Sequence, residues 1–303
     1  MGMNKAVAVG ILATVAIVAA ACSSSASTGS AQAHGHGQAP SSAVARQAVD
    51  AAYTTTIATK STDFSMTSAL SAPSSTLTKS VTISAHGAYD FSTKVGEVTI
   101  SAPAGGAILG SGKINLRIIS NTVYVELPAT MSGAIGGKKW IEMSASGLSQ
   151  LSGAQLGPLS SSIAGDPGQF LSLLRSESDQ FSVVGTVELN GRKTTEYRVV
   201  VDLSKLPALP AGGAGSAART SPSSVLGYSQ LPVDVWVGEH GHLRQVATTV
   251  DLSKVQLPGT SAGKLDLAGA TESLRVDFSH FGVPVTVTAP PASEVGTASS
   301  IGP

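Results

Sequence analysis

From Phe64 onward apolar side chains return at every second position in one short run after another. A chain patterned this way can bury its apolar groups only as strands of a sheet with one dry and one wet face. Phe64, Met66, Ser68 and Leu70 alternate with Ser65, Thr67 and Ala69, and Val81, Ile83 and Ala85 with Thr82, Ser84 and His86. Further runs lie at 97–102, 113–119, 122–127 and 139–143, and six strands in succession predict an antiparallel meander. Strands are expected again at 183–189, 194–203, 233–237, 243–250, 273–281 and 283–288, about eleven or twelve in all. Asn190-Gly191 is a two-residue hairpin signal, because both positions must take positive φ. Gly238-Glu239-His240-Gly241 marks a second hairpin, and Pro284 puts the last run at an edge or a strand start.

Two stretches leave the period of two. Residues 41–56 read as a helix capped by Ser41 or Ser42, with Val44, Ala48, Ala51, Ala52 and Thr55 at helical spacing. Between 146 and 178 the β-branched residues thin out. Leu148, Leu151, Leu156, Leu159 and Ile163 form a helical stripe interrupted by Gly157-Pro158. Asp166-Pro167 then reads as a cap and first-turn proline before Phe170, Leu173 and Leu174. Such helices need an apolar surface, and the sheet offers one, so the fold class is α+β with one large domain at 41–291. Residues 208–224 read as a mobile Pro/Gly/Ala/Ser loop, 105–112 as a glycine-rich loop exposing Ile108 and Leu109, and 292–303 as a disordered tail. Val201-Asp202-Leu203-Ser204-Lys205 recurs as Val250-Asp251-Leu252-Ser253-Lys254 without matching flanks. Two similar strand exits explain it better than a duplication.

The N-terminus carries the one cysteine of the chain. Lys5 gives a small positive region, residues 6–18 are apolar, and Val18-Ala19-Ala20-Ala21-Cys22 has the small side chains a signal peptidase needs. Residues 1–21 are therefore expected to be a signal peptide cleaved before Cys22, whose thiol then takes lipid and holds the protein on a membrane from the extracytoplasmic side. Ala19 stands where leucine is commoner, and a plain secretory signal cut after Ala21 is the competing reading. The apolar run is shorter than the ~20 residues of a membrane span. Residues 22–40, rich in Ser, Ala, Gly, Gln and His, lack bulky apolar groups and are expected to be a flexible tether. Removing Lys5 with the signal leaves 18 basic and 19 acidic side chains, a balance that favours no nucleic-acid partner. Only 13% of residues are charged and 42% are apolar, which predicts unusual apolar surface.

Catalytic signatures do not assemble. There is no Gly-x-Ser-x-Gly elbow and no His-Glu-x-x-His pattern. Gly110-Ser111-Gly112-Lys113 lacks the first glycine and the final Ser/Thr of a phosphate loop. His34-Gly35-His36 and His240-Gly241-His242 each lack a third metal ligand. Asp202, Asp234, Asp251 and Asp277 fit solvent-facing strand positions, and Trp140 and Trp236 suit either a ligand site or sheet packing. The expectation is a protein with no enzymatic activity, no cofactor and no metal.

Several segments together resemble the LppX/LprAFG lipoproteins of mycobacteria and related actinobacteria: Trp140-Ile141-Glu142, the stretch from Asn190-Gly191 to Asp202-Leu203, Leu231-Pro232-Val233-Asp234-Val235-Trp236-Val237 with Leu243-Arg244, and Phe281-Gly282-Val283-Pro284-Val285-Thr286-Val287. The resemblance implies a strongly curved antiparallel sheet, a LolA-like half-barrel of about eleven strands, with helices over its concave face. It implies an apolar cavity for acyl chains of lipid or glycolipid in transit across the envelope, no catalytic residues, and Cys22 as the acylated position. Leu148, Leu151, Leu156, Leu159, Phe170, Leu173 and Leu174 are the expected cavity lining. A structural or protein-interaction lipoprotein with a filled core is the alternative, and any envelope transporter partner stays unnamed.

Overall fold

The computed structural model describes residues 41–71, 81–106, 110–128, 136–144, 172, 178–206, 209–210, 219–255 and 268–297. Helix α1 (Ser42–Ala58) leads into β1 (Ser61–Ser71), and β2 (Val81–Asp90), β3 (Val95–Gly106), β4 (Gly110–Ile119), β5 (Thr122–Glu126) and β6 (Trp140–Ser144) follow as the expected meander. Then come β7 (Ser178–Leu189), β8 (Arg192–Asp202), the two-residue strands β9 (Leu209–Pro210) and β10 (Arg219–Thr220), and the short helix α2 (Pro222–Leu226). Strands β11 (Gln230–Gly238), β12 (Leu243–Asp251), β13 (Thr271–Ser279) and β14 (Val295–Thr297) complete the chain. Among the described residues twelve strands form one curved, unclosed sheet in the order β14-β6-β5-β4-β3-β2-β1-β13-β12-β11-β8-β7. Every pairing is antiparallel except β14 with β6.

Register converts the alternation into two faces. Phe64 lies between Gly87 and Phe278, and Met66 between Ala85 and Val276. The same parity continues through Val98, Leu116 and Val125 on one side and through Val246, Val235 and Tyr197 on the other. A one-residue slip anywhere would put this row in water, so burial holds the register. Gly87 is required by crowding: a Cβ there would collide with the Glu97 carbonyl oxygen of β3. The opposite face is polar. Arg198 forks onto Asp234 at 2.7 and 3.0 Å, and Arg275 and Gln245 both reach Asp277.

Helix α1 lies where expected but turns a different stripe to the sheet. Ala45, Val49, Ala52 and Thr56 are buried, whereas Val44 is 54% exposed. Alanines allow the helix axis close to β7, β11 and β12, and the bulkier Val44 is left outside. Thr56 fastens its end, donating to the Ala52 carbonyl and accepting from the Leu243 amide at 2.9 Å.

Four expectations are corrected. Among the described residues the run 283–288 has no ladder partner: Pro284 withholds a donor, and the chain runs as a strap bonded to polar-face residues of the meander. Ser61 Oγ donates to the Val283 carbonyl, Arg117 Nη1 to that of Thr288 at 3.0 Å, and Lys138 Nζ to that of Ser293. The tail expected from 292 instead starts with a 3-10 turn, Ala292–Glu294, and then β14. Within 208–224, β9 pairs with β10, and α2 begins at a serine cap, the Ser221 hydroxyl accepting from the Ser224 amide. The glycine-rich segment at 105–112 is largely strand, since β3 runs to Gly106 and β4 starts at Gly110; Ile108 and Leu109 lie outside the described residues.

The repeated pentapeptides are two strand exits of one design. Asp202 Oδ1 accepts from the Ser204 amide and Asp251 Oδ1 from the Ser253 amide, each at 2.9 Å. Hydrogen bonds from Ser204 and Ser253 hold both carboxyls below the ordinary aspartate value.

Candidate functional site

The candidate site is the apolar face. Its rows run without a break from Met143 and Ile141 on β6, through Val123, Leu116, Val98, Met66 and Val276, to Val246, Val233, Val199 and Phe181 on β7, all in one cluster of buried residues. The described cover is unequal: α1 packs on β7, β11 and β12. Arg46 of α1 sets its guanidinium 5.3 Å from the Phe181 ring, closing that edge with an amphipathic side chain.

One end of this face is polar. Glu272 occupies the same parity as Leu274 and Val276, and Ser68 Oγ donates to its Oε1 at 2.8 Å. Nearby, the Tyr228 hydroxyl is buried with no hydrogen-bond partner. Burial, with the negative charges of Asp251 and Glu272 behind it, pushes its pKa up to about 12. The phenol therefore stays neutral, an available donor within the field of two carboxylates. The sequence carried a signal for this corner that alternation alone passed over: Glu272 breaks the apolar parity of β13. Tyr228 gave no such signal, because it falls between the loop read at 208–224 and the strand read at 233–237.

The expected residues distribute as follows. Cys22 and Leu148, Leu151, Leu156, Leu159, Phe170, Leu173 and Leu174 lie outside the described residues, as do His34 and His36. Trp140 and Trp236 both stand on the polar face, opposite the apolar rows. Trp140 is buried there, with the Arg117 guanidinium 4.8 Å from its ring. Gly110-Ser111-Gly112-Lys113 is strand, with no helix behind it. His240-Gly241-His242 forms the β11–β12 turn, Gly241 taking φ 75°, and His242 stacks on Phe281 with centroids 4.6 Å apart. Burial, then the charge of Arg244, then that of His240 lower the His242 pKa. The four aspartates each hold a local partner: Ser204, Arg198, Ser253 and Arg275 in chain order. Among the described residues no three His, Cys, Asp or Glu side chains gather as metal ligands, and no helix is long and apolar enough to cross a membrane.

No protein-family profile matches the chain, and no curated protein matches it in sequence. Solved structures similar to it include the lipoprotein LppX of Mycobacterium tuberculosis, with a TM-score of 0.45 and 16% identity over 82% of this chain and 100% of that one. LprF of Mycobacterium bovis gives 0.42 and 15% over 84% and 99%. A LolA superfamily protein of Nitrosomonas europaea gives 0.31 and 11% over 79% and 94%.

Proposed function

We propose that this chain is a lipid-anchored protein of the cell envelope that holds acyl chains of a lipid or glycolipid against the apolar face of its open sheet and carries them across the envelope. The observation that carries the reading is that face: the eleven strands from β6 to β7 present one unbroken apolar surface, far wider than α1 covers. Ser68, Glu272 and Tyr228 supply the few polar groups at one end that a headgroup or sugar hydroxyl needs, the usual arrangement of an apolar site. Cys22 after Ala19-Ala20-Ala21 supplies the anchor, residues 22–40 the tether, and Leu148, Leu151, Leu156, Leu159, Phe170, Leu173 and Leu174 the opposing wall.

A second reading, a scaffold with a filled core, is favoured by one observation. Leu116 and Ile118, far from α1 in the sheet order, are each only 1% exposed. Native mass spectrometry of protein purified from its own host separates the two: a co-purifying lipid mass supports the carrier, and a clean protein mass with no extractable lipid supports the scaffold. Filling an empty pocket by Leu151→Trp or Leu159→Trp blocks lipid uptake with little loss of stability, whereas overpacking a filled core costs about 1 to 3 kcal/mol. Anchoring is tested separately. Cys22→Ala leaves the precursor unprocessed or releases the protein from membranes, and a cleaved, still membrane-bound variant refutes the anchor.

A further inference from the structure

Where the β7–β8 hairpin tip meets β1, β12 and β13 lies a cleft of about 290 Å³, its polar lining Ser65, Asn190, Arg192, Arg244, Asp277 and Ser279 and its apolar lining Leu189 and Phe278. Its two arginines are placed by backbone devices. Asn190 and Gly191 take φ 51° and 73°, and this tight turn delivers Arg192 as the first residue of β8. The β11–β12 ladder shifts register between Trp236 and Val237, which leaves Arg244 as the unpaired extra residue. Such a bulge re-aims a side chain. The Arg244 guanidinium lies 5.1 Å from the Phe281 ring on one side. On the other, Gly238 makes room, since a Cβ there would sit 3.2 Å from Arg244 Cγ and Nε.

Among the described residues neither guanidinium has a carboxylate partner. Asp277, the one acid in the lining, is already engaged: Arg275 Nε and Nη2 reach its two oxygens at 2.9 Å each, and Gln245 Nε2 donates at 2.6 Å. Asp63, on the adjoining strand, is held by His280 Nδ1 at 3.0 Å. Arg192 and Arg244 line the same cleft. Burial first, and then the Arg192 charge, lower the Arg244 pKa. Two like charges facing one cleft, with no carboxylate partner among the described residues, gain from an anion shared between them. The rest of the polar lining adds the Ser65 and Ser279 hydroxyls and the Asn190 amide, more donors than the two oxygens of a carboxylate require.

We infer that this cleft binds a phosphate oxyanion, with Arg192 and Arg244 as its cationic ligands. The inference is independent of the acyl-chain reading, and either can fail alone. The test uses the full chain, its Arg192→Gln and Arg244→Gln variants and the double variant, with melting curves to verify folding. Inorganic phosphate is titrated by calorimetry, and flotation compares vesicles of phosphatidylcholine with vesicles of phosphatidylcholine and phosphatidylglycerol. Saturable phosphate binding is expected, weakened about tenfold by each single substitution and lost in the double variant. Arginine-dependent preference for the phosphatidylglycerol vesicles then identifies a lipid headgroup as the source. Phosphate binding without that preference identifies a soluble phosphate ester. The inference is overturned if wild-type protein shows no saturable phosphate binding, or if the double variant binds as wild type does. Arg192→Gln, at a hairpin tip, keeps the test decisive even if Arg244→Gln impairs folding.

Discussion

The two halves of the sheet are built from the same alternation and covered in opposite ways. On β7, β11 and β12 the described cover is α1, on the apolar face, and the polar face is left to half-exposed ion pairs such as Arg198–Asp234. On the meander β1–β6 the described cover is the C-terminal strap, on the polar face, pinned at Ser61, Arg117 and Lys138 and ending as β14. The difference shows that alternation dictates which face is dry without dictating what shields it. It also explains a buried tryptophan on a polar face: Trp140 lies against Arg117 where the strap crosses.

The largest test of this contrast asks whether two differently covered halves are one cooperative unit. Leu116→Ala in the meander and Leu231→Ala in the other half each remove a leucine no more than 2% exposed and each cost about 2 to 5 kcal/mol. In urea, both variants shift a single transition that coincides by fluorescence and circular dichroism; two separated transitions would split the single core cluster into two. Next, Thr56→Val strips α1 of its bond to β12 and leaves the Leu243 amide buried without an acceptor, for about 1 to 3 kcal/mol. Amide exchange at Leu243 should accelerate with it, whereas the meander keeps its protection. The strap gives a smaller effect. Arg117→Ala removes one hydrogen bond and a cation over Trp140, about 1 to 2 kcal/mol, with exchange accelerated across 283–291 and red-shifted Trp140 emission.

The smallest effect is electrostatic. Burial by itself raises the Glu126 pKa, but Lys139 at 2.9 Å and the Asn115 amide at 2.7 Å outweigh it and hold the carboxyl below its ordinary value of 4.5. A depressed folded-state pKa means stabilisation that is complete above the unfolded value and lost as pH falls through the folded one. Stability therefore declines on acidification below pH 4.5, and Glu126→Gln flattens part of that slope. At neutral pH the substitution costs less than about 1 kcal/mol, because Lys139 is largely in water.

Much of the fold could be read from residues alone because burial on one face forces a period of two. The meander, the Asn190-Gly191 turn and the helix at the start all follow from local pattern. What escaped depends on partners distant in sequence. Residues 283–288 alternate like a strand, but a ladder needs a neighbour, and no local pattern reports that one is missing. β14 is three residues long, too short to show a period, and its partner Trp140 lies far upstream. The α1 stripe was displaced because alanines give a weak amphipathic signal. For the candidate site, the apolar rows were legible and the polar corner was not, since the charge of Glu272 acts on Tyr228 only in the folded chain.

That order has a kinetic side. Thr62 and Ser279, joined across the β1–β13 seam, are 217 positions apart in the chain. The seam is the middle of the sheet, so the two halves cannot zip together until β13 is available. Until then β1 presents a bare apolar strand edge for most of the time the chain takes to be made. Long-range closure of this kind slows folding, and exposed edges in waiting invite pairing between chains. A chain ending before Thr271 should leave β1 and β12 as open edges and aggregate, whereas one missing only β14 should still close its centre.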